Sequence, residues 1–226
     1  MWGRPPPCEA IVEENGLRLG VDLAVGQKTG LYLDHRDNRR YLEGWCRGKR
    51  VLNCFAYTGA FSAYALRGGA ADVVSVDIAA QAVAQIERNL ELNALAADRH
   101  TSVVADCFEL LPQYAAQGRR FDLVILDPPS LAHARKSRHA ALRAYLRLNR
   151  AAIRCLPSDG LLATASCTSQ VEPDAFREVL ADAAAQAGRR LLILHEAGHA
   201  LDHPVPAHFP EGRYLKFVFG RIRALA

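Results

Sequence analysis

Three aspartates, Asp77, Asp106 and Asp127, each close a short run rich in apolar or β-branched residues, and the last is followed directly by Pro128 and Pro129. A fourth such run ends in Asn53, Cys54, Phe55, Ala56, Tyr57, Thr58 and Gly59, where the glycine permits close backbone approach as a helix begins. In an open α/β sheet, ligands bind beyond the carboxyl ends of the strands. Asp77 is spaced to accept both hydroxyls of a ribose, and Asp106 to accept from an adenine amino group. The loop before Ala60 lacks the three-glycine fingerprint of dinucleotide sites, so it offers little to a pyrophosphate. An adenosyl compound without phosphates asks for the acids and not for that loop. Each acid alone reads equally well as a strand-end turn former. Their recurrence at successive strand ends points to a ligand.

The elements that must hold these residues form an alternating pattern. Strands are expected at Arg50 to Phe55, Asp72 to Asp77, Thr101 to Ala105, Phe121 to Leu126, Gly160 to Ser166, Arg190 to His195 and Tyr214 to Arg221. Several are apolar almost throughout, as in strands covered on both faces. Amphipathic helices such as Ala80 to Leu92 and Asp174 to Ala187 lie between them, with Gly118 and Gly188 as stop signals. After the sixth strand the stretch from His199 to Gly212 is rich in proline and histidine, so the last strand follows without a helix and is expected to run reversed. Ahead of the sheet, alternating apolar residues from Ala10 to Leu23 flank Glu14, Asn15 and Gly16, a hairpin signal.

A chain of 226 residues, half hydrophobic and 23% charged, has the balance of one folded domain. No apolar stretch approaches the roughly 20 residues of a membrane span, and Met1 to Pro7 lacks a signal-peptide core, which makes the cytoplasm the default expectation. The six cysteines are scattered without metal-knuckle or redox spacing, so reduced thiols are expected. A net charge of +4 permits a polyanionic partner without requiring one.

His195, Glu196 and His199 match the spacing of a zinc-peptidase motif, which needs a helix to bring both imidazoles to one metal. The preceding Leu191 to Leu194 reads as a strand, and Pro204, Pro206 and Pro210 exclude a long helix, so no metal is assigned and a zinc peptidase is only a remote alternative. Lys28, Arg36, Arg39, Arg40, Arg47, Lys49 and Arg50 cluster before the first sheet strand, and Arg135, Lys136 and Arg138 follow the Asp127 motif. These two patches could meet the phosphates of a nucleic acid on either side of one pocket; a solvated charged face is the competing reading.

The runs Gly26 to Gly30, Asp34 to Arg39, Leu52 to Gly59, Asp127 to Ser130, Ser166-Cys167 and Asp202 to Pro204 together resemble the ribosomal RNA large-subunit cytosine-5 methyltransferase family, over about Glu9 to Arg223. The resemblance implies a Rossmann-like class I methyltransferase fold: a seven-stranded, mostly parallel sheet with a reversed last strand, preceded by the hairpin. It implies S-adenosyl-L-methionine as methyl donor and ribosomal RNA as acceptor. Residues 1–40 would be a hairpin and basic segment left from the linker to an RNA-binding domain that family members usually carry, and residues 41–226 the methyltransferase domain. By carry-over, Asn53, Ala56, Tyr57, Thr58, Gly59, Asp77, Ile78, Asp106, Cys107 and Asp127 would line the cofactor site, with Lys28 and Arg36 on its cofactor or RNA side. Pro128, Pro129, Arg135, Lys136, Arg138 and His203 would meet the RNA. Cys167 would attack carbon 6 of a cytosine, with Asp127 bonding the base; taken without the resemblance, Cys167 reads as a small buried residue. A guanine-nitrogen methyltransferase and a catalytically silent RNA-binding relative are the alternatives, and neither needs the thiol.

Overall fold

The computed structural model describes residues 10–23, 26, 30–132 and 134–225. Strands β1 (Ala10–Glu14) and β2 (Leu17–Val21) pair antiparallel as a separate hairpin. Asn15 and Gly16, at φ +50° and +80°, form the two-residue turn that matches the twist of its strands.

The main sheet holds β3 (Arg50–Cys54), β4 (Asp72–Asp77), β5 (His100–Val104), β6 (Leu123–Leu126), β7 (Leu161–Cys167), β8 (Arg189–Ala197) and β9 (Leu215–Ala224), in the order β5-β4-β3-β6-β7-β9-β8. The pairs from β5 through β7 are parallel, whereas β9 is antiparallel to both its neighbours. The expected reversed last strand is therefore present, inserted between β7 and β8. Connections between parallel neighbours run through helices, while β8 reaches β9 through a loop and one short 3-10 turn. An antiparallel pair needs no crossover helix.

Consecutive residues of the central strands face opposite layers, which is why those strands are largely apolar on both faces. Val51, Val73, Leu123 and Ile125 pack beneath the hairpin, α1 (Arg36–Glu43), α2 (Ala60–Arg67) and α3 (Ala80–Leu92). Leu52, Val74, Val124 and Leu126 pack against α4 (Cys107–Ala116), α5 (Arg138–Arg154) and α6 (Pro173–Gln186). Strand boundaries fall within a few residues of expectation. Gly118 and Gly188 adopt φ of +69° and +67° just beyond α4 and α6, the left-handed helix stops that their positions suggested. No described helix is long and apolar enough to cross a membrane.

The zinc-peptidase alternative is corrected by β8. His195 and Glu196 are consecutive strand residues and so point to opposite faces; His195 stacks on Tyr41 at 4.0 Å, and Glu196 is held by Arg177 at 2.7 Å. The helical spacing that would bring His195 and His199 to one ion does not exist here.

The hairpin is bound to the sheet-covering layer by paired polar groups. Gly20 N donates to Asn89 Oδ1 at 2.7 Å, and Asn93 Nδ2 donates to Arg18 O at 2.7 Å. At its turn, Glu14 forms a bidentate pair with Arg39 of α1, at 2.8 and 2.7 Å, with both side chains 2% exposed. Tyr64 of α2 adds a hydroxyl to Glu14 at 3.0 Å, and Arg39 reaches Tyr32 O at 2.9 Å. Glu14→Leu, which strands a buried guanidinium, should lower the unfolding free energy in urea by about 3–5 kcal/mol. Glu14→Leu combined with Arg39→Met should cost less than Glu14→Leu alone; a larger loss in the double variant would show that the two charges do not compensate each other.

Candidate active site

The carboxyl ends of β3, β4, β6 and β7 converge on one cavity of about 380 Å³. The loop after β3 forms its floor. Phe55, Tyr57 and Gly59 have φ of +59°, +47° and +79°. Two non-glycine residues in that left-handed region within five positions store strain of the sort that gathers at functional sites. At Gly59 a Cβ would stand 2.6 Å from Ile86 Cγ2, so only glycine lets α2 begin this close to α3.

Asp77 holds the loop in shape. Its Oδ2 accepts from Tyr57 N at 2.8 Å and its Oδ1 from Ala79 N at 2.9 Å. Each oxygen keeps a second lone pair, so the carboxylate stands oriented at the cavity wall with acceptor capacity to spare. Beside it Ile78 is 69% exposed, an apolar surface laid open at the cavity. A carboxylate with spare lone pairs next to an open apolar side chain fits an adenosine moiety, one face for the ribose and the other for the base.

At the other end stand Asp127, Pro128, Pro129 and Cys167. The half-buried Cys167 donates its thiol to Pro128 O at 3.5 Å. The chain beyond it is tied down by Lys216 of β9, whose Nζ donates to the carbonyls of Thr168 and, at 2.9 Å, Tyr214. Burial pulls the Lys216 ammonium down to about 8, and the nearby thiol of Cys167 counteracts this. Burial also pushes the Tyr32 phenol at the cavity wall up to about 12, helped by Tyr57 and Cys167.

The remaining expected residues lie around this centre. Ala56 and Thr58 line the cavity, but Asn53 is buried beneath it, donating to Ser62 Oγ at 2.8 Å. The exposed Asp106 caps α4 by accepting from Phe108 N at 2.8 Å, and Cys107 is buried behind it; neither belongs to the cavity wall. Arg36 pairs with Asp37 at 3.2 Å and with Asp202, whose other oxygen meets His203 Nδ1 at 2.9 Å. His203 leads the causes that hold the Asp202 carboxyl below its ordinary range. This chain ties α1 to the loop after β8 outside the cavity proper. Lys136 is exposed and Arg138 half-buried at the start of α5; Lys28 and the side chain of Arg135 lie outside the described residues.

One wall was not anticipated. Tyr32, Asp34, His35 and Arg39 all line the cavity, and Asp34, His35 and Arg39 are buried. Tyr214 donates its hydroxyl to Asp34 at 2.7 Å, and His35 Nε2 lies 3.1 Å from Asp127 Oδ1. A signal was present: His35, Asn38, Arg39 and Leu42 recur at core-facing helical spacing, a buried stripe made mostly of polar residues.

The family model described as S-adenosylmethionine-dependent methyltransferase matches residues 2–196. Ribosomal RNA large subunit methyltransferase I of Pseudoalteromonas translucida is 44% identical over 216 residues, covering 96% of this chain and 54% of the relative. Its counterpart in Aeromonas salmonicida is 42% identical over 221 residues, covering 98% and 56%. The chain thus spans about half the length of the curated relatives it matches. The crystal structure of SMU.776 complexed with SAH superposes with a TM-score of 0.87 at 28% identity, covering 98% of this chain and 58% of that one. The sheet with its reversed strand, the oriented Asp77 carboxylate and the family match over most of the chain agree: the chain belongs to the S-adenosylmethionine-dependent methyltransferases.

Proposed function

We propose that this domain methylates carbon 5 of a cytosine in large-subunit ribosomal RNA through a transient bond to Cys167. The observation that carries the reading is the location of one thiol. Cys46, Cys54, Cys107 and Cys155 are buried away from the cavity, whereas Cys167 is half-exposed and lines it beside Asp127 and the two prolines. The names of the relatives supply the RNA.

S-adenosylmethionine, when bound, supplies an electrophilic methyl group. Asp77 would hold its ribose, and the Ala56 to Gly59 loop with Ile78 would hold the rest of the nucleoside. Cytosine carbon 5 is a poor nucleophile, so the protein must activate it. The Cys167 sulfur, once deprotonated, adds to carbon 6, and the electron pair displaced from the ring double bond makes carbon 5 nucleophilic. Asp127 would hydrogen-bond the base, and Pro128 with Pro129 would wall a slot for a nucleotide flipped out of its stack. After methylation, loss of the carbon 5 proton to water or to Asp127 expels the sulfur and restores the ring. Arg135, Lys136 and Arg138 would contact phosphates, and the Asp202–His203 loop would flank the slot.

Cys167→Ala should bind S-adenosylmethionine with unchanged affinity yet transfer no methyl group to RNA, and RNA containing 5-fluorocytosine should form an adduct with the unaltered protein that survives denaturing electrophoresis. Methyl transfer at the full rate by the alanine variant would instead indicate direct attack by a base nitrogen. Asp77→Ala should weaken S-adenosylmethionine binding in calorimetry by about 10- to 100-fold, the worth of hydrogen bonds to a charged group; unchanged affinity would remove Asp77 from the ribose site. Replacing Arg135, Lys136 and Arg138 together with alanine should flatten the salt dependence of RNA binding, with the logarithmic slope falling by about 0.7–0.9 for each phosphate no longer neutralised. An unaltered slope in filter binding would take this patch out of the interface.

A further inference from the structure

We propose that His35 is a positioning residue: it holds the Asp127 carboxylate as an oriented acceptor and so favours a target base that presents an amino group. The inference rests on the reading of Asp127 given under Proposed function and adds the group that acts on it.

The tautomer of His35 follows from its surroundings. Asn38 Nδ2 lies 3.1 Å from His35 Nδ1, and the same amide nitrogen donates to Gly198 O at 3.2 Å. Turning the Asn38 amide over would set its oxygen against the Gly198 carbonyl, so the nitrogen must face both partners. An N–H directed at Nδ1 requires a lone pair there, which puts the imidazole proton on Nε2. That atom is 3.1 Å from Asp127 Oδ1, close enough for a strong electrostatic contact although the angle does not make a hydrogen bond. The ring has no freedom to serve elsewhere: it is 2% exposed, with edge contacts to Phe61 at 5.5 Å and Phe217 at 6.1 Å.

A neutral imidazole whose Nε2–H lies beside Oδ1 stabilises the charged carboxylate and biases its orientation, leaving Oδ2 for the ligand. Among the described residues, the other charged or titratable groups around this end of the cavity include Tyr32, Asp34 and Arg39 from the segment entering α1, Tyr57 and Asp77 from the β3 and β4 ends, Cys167 of β7, Tyr145 of α5, and Tyr214 and Lys216 beside them. Asp34 accepts from Tyr214 through Oδ2, and the Arg39 nitrogens are taken by Glu14 and the Tyr32 carbonyl. Among the described residues, it is the His35 ring that lies 3.1 Å from the Asp127 carboxylate. A carboxylate held as acceptor is matched by the exocyclic amino group of cytosine, whereas uracil would set a carbonyl oxygen against it. A buried polar group left without its partner discriminates far more strongly than a change in apolar fit.

Two measurements on the full chain test this. In the protein labelled with nitrogen-15 in its histidine rings, the His35 resonances, assigned by their loss in His35→Gln, should show the proton on Nε2; a proton on Nδ1 would overturn the proposal. In single-turnover methylation of a ribosomal RNA fragment, His35→Leu should lower the methyl-transfer rate by about 10- to 100-fold while affinity for S-adenosylmethionine stays within about 2-fold. His35→Gln, which restores an N–H toward Asp127, should recover most of that loss. A purely structural histidine would leave Gln no better than Leu, and that result, or an unimpaired Leu variant, overturns the role of His35. Unaltered protein that methylates no cytosine would overturn the proposed function on which the inference stands.

Discussion

The bidentate pair between Glu14 and Arg39 is the constraint on which the candidate site depends. Glu14 belongs to a hairpin outside the main sheet, and Arg39 to the first helix. Two charges buried to this degree persist only when each satisfies the other, and here Tyr64 and the Tyr32 carbonyl complete the arrangement. Because Arg39 cannot leave Glu14, the turn of helix that carries Asp34 and His35 is pressed onto the carboxyl edge of the sheet. The cavity is then closed on one side by chain that precedes the first sheet strand.

That arrangement divides the site into two kinds of wall. Asp77, Asp127 and Cys167 sit at or just beyond strand ends, where sheet pairing fixes the backbone: Asp77 lies opposite Val104 of β5, and Cys167 opposite Leu215 of the antiparallel β9. Asp34, His35 and Arg39 stand opposite, fixed by side-chain contacts across long sequence separations. The strand ends hold one side of the cavity in place, and the segment entering α1 holds the other. Lys216 serves the same purpose from β9 by bonding the carbonyl that follows Cys167.

Much of this was legible from residue types alone. Continuous apolar runs such as Leu123 to Leu126 identify strands with helices on both faces, and Asn15-Gly16 between alternating residues identifies the hairpin. Strand-end acids are equally legible in position but not in use: Asp77 faces the cavity, while Asp106, at the corresponding place on the next strand, caps a helix. Both uses draw on the same preference for an acid where a strand gives way to a helix, so sequence cannot separate them. The wall formed by Tyr32, Asp34, His35 and Arg39 shows as a buried polar stripe, but what the stripe faces depends on contacts with Tyr214, Asp127 and Phe217, which no local pattern encodes. The histidines near β8 show the converse, since a matching motif had no helix to make it a metal site.

Strand β8 lies at the outer border of the sheet and exposes Leu192, Ile193 and Leu194, at 43, 42 and 45%. A flat apolar border of this kind would template the addition of strands from other chains. The pairing of β8 with β9 instead slips between Ile193 and His195, leaving Leu194 outside the register and bending the border. A border broken in this way is a poorer template for strand addition than a flat one would be.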